Sequence, residues 1–243
     1  MKAFQIEKER QQFSDFLKDT KNTDIDTLSK YISNDCFKCF QNKEKRMRFT
    51  KGQIVMSQFE KKHGVYIVIS GLVKLAMQDE NGNELTVGIK KTGDIFSDSC
   101  FFNKGENTYS FTATMFQSGE VIFIHSKYIE KELKVCPYLS EGMMRCLSEQ
   151  VEDYASRLFE MAHLDNFSKT VKTINKLVKK FGKRHVDEIY IDLPLTIQEF
   201  AGLVGASRES ISRVFSELQK DNVVEIRNKK IFITNKNKFF SYL

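Results

Sequence analysis

The sequence predicts an α+β chain: a β-sandwich or jelly roll, then a long helix that pairs with a copy of itself, then a C-terminal helix-turn-helix with a β-hairpin. Three observations predict it. From about Arg46 to Ile124 the chain consists of short runs rich in Val, Ile, Phe and Thr, punctuated by glycines at Gly52, Gly71, Gly82, Gly93 and Gly119. Further on, Met144, Leu147, Val151, Tyr154, Leu158 and Met161 follow one another at alternating steps of three and four, the a/d seam of a pairing helix. Last, Thr196–Leu218, TIQEFAGLVGASRESISRVFSEL, carries the capping and turn residues of two helices that cross closely.

Taken in order, residues 1–45 read as a helical segment, with apolar positions at Phe4, Phe13, Phe16, Leu28, Tyr31 and Ile32. Residues 46–136 form the β domain, whose clearest runs are GVYIVIS (64–70), VKLAMQ (73–78) and ELTVGIK (84–90). Asn81-Gly82 between the last two is the strongest hairpin signal. Residues 137–164 form the long helix; its seam could instead lie along its own domain's core. Its length, and its place between a β domain and a basic one, favour dimerisation. Residues 165–243 form the terminal domain. It comprises a helix over about Asn166–Phe181 that buries Phe167, Val171, Ile174, Leu177 and Val178, with Gly182 as its cap. A short strand (EIYIDL), two helices and the hairpin VVEIRNKKIFIT complete it.

The charge is segregated. Asp165–Leu243 holds 15 Lys/Arg against 9 Asp/Glu, which accounts for the whole net charge of +6, while the preceding residues balance at 23 of each. A basic domain joined to a neutral one suits a polyanionic partner, although a solvated lysine-rich surface reads the same way. The chain's 21 Phe are ample for packed cores. The N-terminus, MKAFQIEKERQQF, lacks the apolar core of a signal peptide, and no run approaches eighteen apolar residues. A cytoplasmic protein without a membrane partner is expected. Five cysteines, an odd number, argue against a disulfide framework. No P-loop, H-E-x-x-H or G-x-S-x-G occurs, so an enzyme is not expected.

Thr196–Leu218 decides the function class. Thr196 with Glu199 forms a capping box, Ala201 is small where helices cross, Gly205 supplies a left-handed turn, and Ser207 can cap the second helix. Phe200, Val204, Ile211, Val214 and Leu218 pack the two helices together. Arg208, Glu209, Ser212 and Arg213 then project together from the first two turns of the second helix. Arg is the usual partner of guanine O6/N7, and Glu can accept from cytosine N4. Arg227, Lys229 and Lys230 lie near the hairpin tip, where a wing would meet phosphates.

The order β-roll, long helix, helix-turn-helix resembles the Crp/Fnr family, that of the cyclic AMP receptor protein and the fumarate–nitrate regulator. GASRESISRVFSELQKDNVV is similar to its recognition-helix signature, and KGQIV, VYIVISGLVKL and TGDIF to its β-roll. The resemblance spans about residues 45–235. It implies a cyclic-nucleotide-binding-like jelly roll and a homodimer on a two-fold symmetric duplex, with RNA polymerase a further candidate partner. It also implies that Glu209 and Arg213 read a G·C pair, in a TTGAT-like or TGTGA-like half-site, within a DNA-binding set of Thr196, Ser207, Arg208, Glu209, Ser212, Arg213, Lys229 and Lys230. Ser212 matches the oxygen-responsive branch and Arg208 the cyclic-nucleotide branch.

The sensor is harder to read. Cyclic-nucleotide members hold the phosphate with an Arg-Ser pair and the ribose with a Glu in G-E-L; here Ser97-Asp98-Ser99 and Thr108-Tyr109-Ser110 stand in those places. No Arg occurs between Arg48 and Arg145, so no guanidinium fork is available for the phosphate, and cyclic AMP is not the expected effector. Phe96, Asp98, Cys100, Thr108, Tyr109 and Phe111 could line a pocket for an apolar effector, or belong to the roll's core. Cys36-Phe-Lys-Cys39 could act as a redox pair with Cys100, or be small buried hydrophobes. Two cysteines do not complete a metal or Fe–S site, and the late β-roll ligand position around Val121–Phe123 has none; neither Fe–S nor haem is supported. The effector stays unassigned, with no cofactor required for DNA binding. The remaining readings are an effector-independent regulator and a ligand-binding adaptor whose winged helix contacts protein.

Overall fold

The computed structural model describes Phe40 and residues 43–97, 108–185 and 188–243. Residues 1–39, with Cys36 and Cys39, and the candidate pocket residues Asp98 and Cys100 lie outside the described residues. The chain divides into two compact units, one ending at Ser156 and one spanning Arg157–Leu243.

The first unit is built on a six-stranded antiparallel sheet: β1 (Glu44–Phe49), β2 (Ile54–Met56), β3 (Gly64–Gln78), β4 (Glu84–Lys90), β5 (Ile95–Phe96) and β6 (Thr112–His125). β3 and β6 pair along most of their length, with β1 and β2 on the far side of β6 and β4 and β5 on the far side of β3. β1 begins at Glu44, inside the segment expected to be helical.

The alternation of β3 sorts its side chains into two cores. Val65 and Ile67 join Ile122, Ile124 and Ile129, together with Leu139 and Met143 of the long helix. Tyr66 and Val68 join Met56, Val73, Leu75, Phe96, Tyr109, Ala113, Met115 and Val121 inside the roll. Both faces are covered, which is why GVYIVI reads as a continuous apolar run.

Two expectations need correction. The runs 64–70 and 73–78 are not separate strands divided by a turn at Gly71; β3 continues through it, with its register against β6 shifting between Val68 and Val73. The backbones meet here so closely that a Cβ at Gly119 would sit 2.0 Å from the Ser70 carbonyl oxygen. The β3–β4 hairpin has the expected Gly82 at positive φ, but it is a longer loop. There the Asp79 carboxylate accepts from the N–H groups of Asn81 and Asn83.

A short helix α1 (Ser126–Leu133) leads into the long helix α2 (Pro137–His163). Leu139, Met143 and Cys146 of α2 are buried in the first unit, whereas Met144, Val151, Tyr154, Leu158 and Met161 are exposed and Leu147 is half-buried. No helix among the described residues is long and apolar enough to cross a membrane.

The second unit begins in α2's last turns and continues with α3 (Asn166–Phe181), β7 (Gly182–His185), β8 (Glu188–Ile191), α4 (Ile197–Val204), α5 (Arg208–Lys220), β9 (Val224–Arg227), β10 (Lys230–Ile233) and α6 (Lys236–Ser241). The four strands pair antiparallel in the order β7-β8-β10-β9. Strand β7 is additional to the expected elements. Gly182 is the C-cap of α3 as expected, its N–H donating to the Val178 carbonyl, but it does so in extended rather than left-handed backbone. Glycine is required for closeness instead, since a Cβ there would lie 2.3 Å from the Val178 carbonyl oxygen.

Candidate nucleic-acid interface

The two helices of the expected pair form as their caps dictate. The Thr196 hydroxyl accepts from the Glu199 N–H at 3.2 Å while the Glu199 carboxylate accepts from the Thr196 N–H at 2.7 Å, so both halves of the box are closed. Gly205 ends α4 at φ +72, and its N–H and that of Ala206 both donate to the Ala201 carbonyl. Two residues later the Ser207 hydroxyl accepts from Ser210 N–H and opens α5. The angle between helices is fixed by Phe200 and Phe215, edge to face with centroids 5.0 Å apart, and by fully buried Ala201 and Ile211. Phe215 was missed in the sequence; it lies one residue beyond Val214, on the same buried face.

Periodicity then leaves the opposite face of α5 outward. Arg208, Glu209, Ser212 and Arg213 are all exposed, grouped on the first two turns. The structure brings Ser207 to the start of this group as its cap. It places Thr196 at the start of α4, half-buried, with its hydroxyl and N–H both engaged in the capping box.

The hairpin is a tight one. Asn228 and Lys229 both adopt positive φ between the paired residues Arg227 and Lys230, the conformation of a type I′ turn. This puts Lys229 at the tip, exposed. The other two basic residues are held back. Arg227 donates to both carboxylate oxygens of Glu188 (2.8 and 3.0 Å) and to Glu225, stacks over Phe232 at 4.7 Å, and has its guanidinium proton held more firmly than usual by Glu188 and then Glu225. Lys230 pairs with Asp192, which also takes Lys183, and these two cations hold the Asp192 carboxyl below the ordinary aspartate range. Of the expected phosphate ligands in the wing, only Lys229 has no ion-pair partner among the described residues.

In the first unit, Phe96 and Tyr109 are core members rather than an open wall. Phe96 stacks on Tyr66 at 5.1 Å and Tyr109 accepts from the His63 N–H through its hydroxyl at 3.2 Å. Thr108 bridges to Lys61 and is half-buried, as is Phe111. Phe111 packs against the same cluster as Phe96 and Tyr109.

Comparison with known proteins gives a family match within each unit. The model of a cyclic nucleotide-binding domain matches residues 46–135, and that of a Crp-like helix-turn-helix domain matches residues 169–239. The chain is 29% identical over 169 residues to a global nitrogen regulator of a Nostoc species, covering 70% of this chain and 76% of that one. It is 25% identical over 211 residues to an anaerobic regulatory protein of Bacillus subtilis, covering 87% and 88%. A CRP-like cAMP-activated global transcriptional regulator of Mycobacterium tuberculosis is 25% identical over 187 residues, covering 77% and 83%. Among solved structures, the c-di-GMP-responsive global regulator of Xanthomonas campestris has the same fold, with a TM-score of 0.73 at 23% identity over 82% of this chain and 98% of that one. FixK2 of Bradyrhizobium japonicum has a TM-score of 0.71 at 13% identity, over 82% and 96%. A cyclic-nucleotide-binding-type roll, a helix-turn-helix with its polar face outward, and relatives that are transcription regulators lead to one assignment: the chain belongs to the Crp/Fnr family of DNA-binding transcription regulators.

Proposed function

We propose that the protein binds a palindromic duplex as a homodimer, with Arg208, Glu209, Ser212 and Arg213 of each copy entering successive turns of the major groove. The observation that carries this reading is a pair of exposed faces. One is the polar group on α5; the other is the apolar stripe of α2, where Met144, Val151 and Leu158 are each at least 60% exposed. A row of large apolar side chains at heptad spacing is costly in water and is relieved by a second copy of the same helix. A chain that reads chromosomal DNA works where that DNA is, which supports the cytoplasm, and RNA polymerase bound nearby is a partner for it.

The sensor unit, on this reading, does not take cyclic AMP, because residues 49–144 contain no Arg to fork a buried phosphate. An apolar effector or thiol chemistry at Cys36 and Cys39 would act by binding or favouring one geometry of α2 over another. The packing of Phe96 and Tyr109 into the core supports an effector-independent regulator as the second reading.

Fluorescence titration against a palindromic duplex at several salt concentrations tests the function. A sequence preference with log affinity falling steeply against log salt is expected, at about −0.9 per phosphate neutralised. A flat salt response without sequence preference would point instead to a protein-binding adaptor. Met144→Asp combined with Leu158→Asp is expected to give monomers that bind weakly; a double variant that stays dimeric removes the seam.

A further inference from the structure

Recognition helix α5 is held at its start by the Ser207 cap and the crossing with α4, but its far end has a separate anchor. The helix closes at Asp221, and the Asp221 carboxylate accepts from the Tyr242 hydroxyl at 2.6 Å and from the Lys238 ammonium at 3.2 Å. Lys238 also donates to the Asp221 carbonyl, at 3.3 Å. Helix α6, which carries Lys238, is fixed by fully buried Phe239 and by its own cap from Asn235. The Tyr242 ring packs edge-on against Phe167, centroids 5.2 Å apart, in the first turn of α3.

That first turn continues α2 almost without a break. Asp165 caps α3 by accepting from Ser168 N–H at 2.7 Å, and Leu164 N–H still donates to Glu160 in α2. Glu160 in turn pairs with Lys176 of α3 at 2.8 Å. A continuous line of contacts thus runs from the last turn of α2, through the start of α3 and Tyr242, to the C-terminal end of α5. The Lys238–Asp221 pair is about two-fifths exposed on each side, so it contributes little by itself. The specific part is the short hydroxyl–carboxylate bond made by a ring that packing holds in place.

We propose that Tyr242, supported by Lys238, is a positioning residue for DNA recognition: it fixes the far end of α5 to the first turn of α3 and so sets the angle at which Arg208–Arg213 meet the groove. A helix of this length is about 20 Å long, so a shift of about 1 Å at its free end tilts it by roughly 3°. Tilt of that kind changes the half-site separation a dimer prefers. The inference rests on the dimeric DNA-binding reading above.

The test uses the full chain and a set of duplexes, selected from a random pool, whose two half-sites are spaced at the selected distance or one base pair more or less. Tyr242→Phe keeps the ring against Phe167 and removes only the O–H. It is expected to narrow the affinity gap between the selected and altered spacings by about three- to tenfold, while affinity for random duplex stays the same. Asp221→Asn, which still offers an acceptor to Tyr242, should retain most of that gap. Lys238→Met should reduce it less than Tyr242→Phe, and stands in for it should that variant fold poorly. A purely structural role would lower the active fraction equally for every duplex and leave the ratio fixed; an unchanged ratio in a folded Tyr242→Phe protein overturns the proposal alone. Wild-type protein that fails to bind any two-half-site duplex overturns the functional reading, and this inference with it.

Discussion

The two compact units arrange their telling side chains in opposite ways. In the C-terminal unit the residues that suit a duplex stand on the outer face of a helix whose inner face is core, so Arg208, Glu209, Ser212 and Arg213 are separate from Ile211, Val214 and Phe215. In the β unit, residues chosen as candidate effector contacts, Phe96 and Tyr109, are themselves core. A helix rotates about 100° per residue and sorts site from core along one strip of sequence. A strand buried on both faces sorts its side chains only between one core and another, so its sequence does not separate site from core. Five substitutions sharpen that difference, beginning with the inner face of the helix pair.

The largest effect is expected at Phe200, which is almost completely buried and holds Phe215 edge-on. Phe200→Ala should cost about 3–5 kcal/mol of stability in the C-terminal unit, read as a lower midpoint in urea with DNA binding lost through unfolding. Arg213→Ala is the outer-face counterpart. It should leave the unfolding midpoint where it is, because the side chain is exposed, and cost about 1–3 kcal/mol of DNA affinity with relaxed preference at one base pair. Equal affinity and selectivity in that variant would withdraw Arg213 as a base reader.

Tyr109→Phe probes the other unit. It removes the hydroxyl that accepts from the His63 N–H and should cost about 1 kcal/mol of stability, with no change in duplex affinity. Should DNA affinity shift in the variant at unchanged stability, Tyr109 belongs to the signalling path and the core assignment is too simple.

The sequence was most legible where local chemistry alone dictates conformation. The Thr196/Glu199 box, Gly205 in the left-handed turn and the Ser207 cap are each set by a few adjacent residues, and each forms as expected. So does the boundary of α3, whose apolar period runs unbroken from Asn166 to Phe181. Long-range pairing was not legible. Gly71 carries a turn-compatible φ of +80 yet sits inside a strand, because its neighbour is the β6 backbone at Gln117–Gly119, far away in sequence. The same reason hid β7, whose GKRH has no strand-like composition and is extended only by pairing with β8. The role of Tyr242 was invisible too, since its partners Asp221 and Phe167 are brought to it by the fold.

The smallest effect distinguishes two adjacent lysines that the sequence treats alike. Lys229 sits on the type I′ tip, exposed, whereas Lys230 is turned onto Asp192 and lies over the Tyr190 ring at 5.3 Å. Removing a cation that meets a phosphate releases fewer counterions on binding and flattens the salt dependence; removing one committed to a carboxylate does not. Lys229→Ala should therefore weaken binding to all duplexes alike and reduce the salt slope by about one. Lys230→Ala should leave the slope unchanged and lower stability by at most about 1 kcal/mol, since the pair is partly exposed and Lys183 still neutralises Asp192. If the two variants lose the same slope, the wing's ion pairs open on DNA, and Lys230 joins Lys229 as a phosphate ligand.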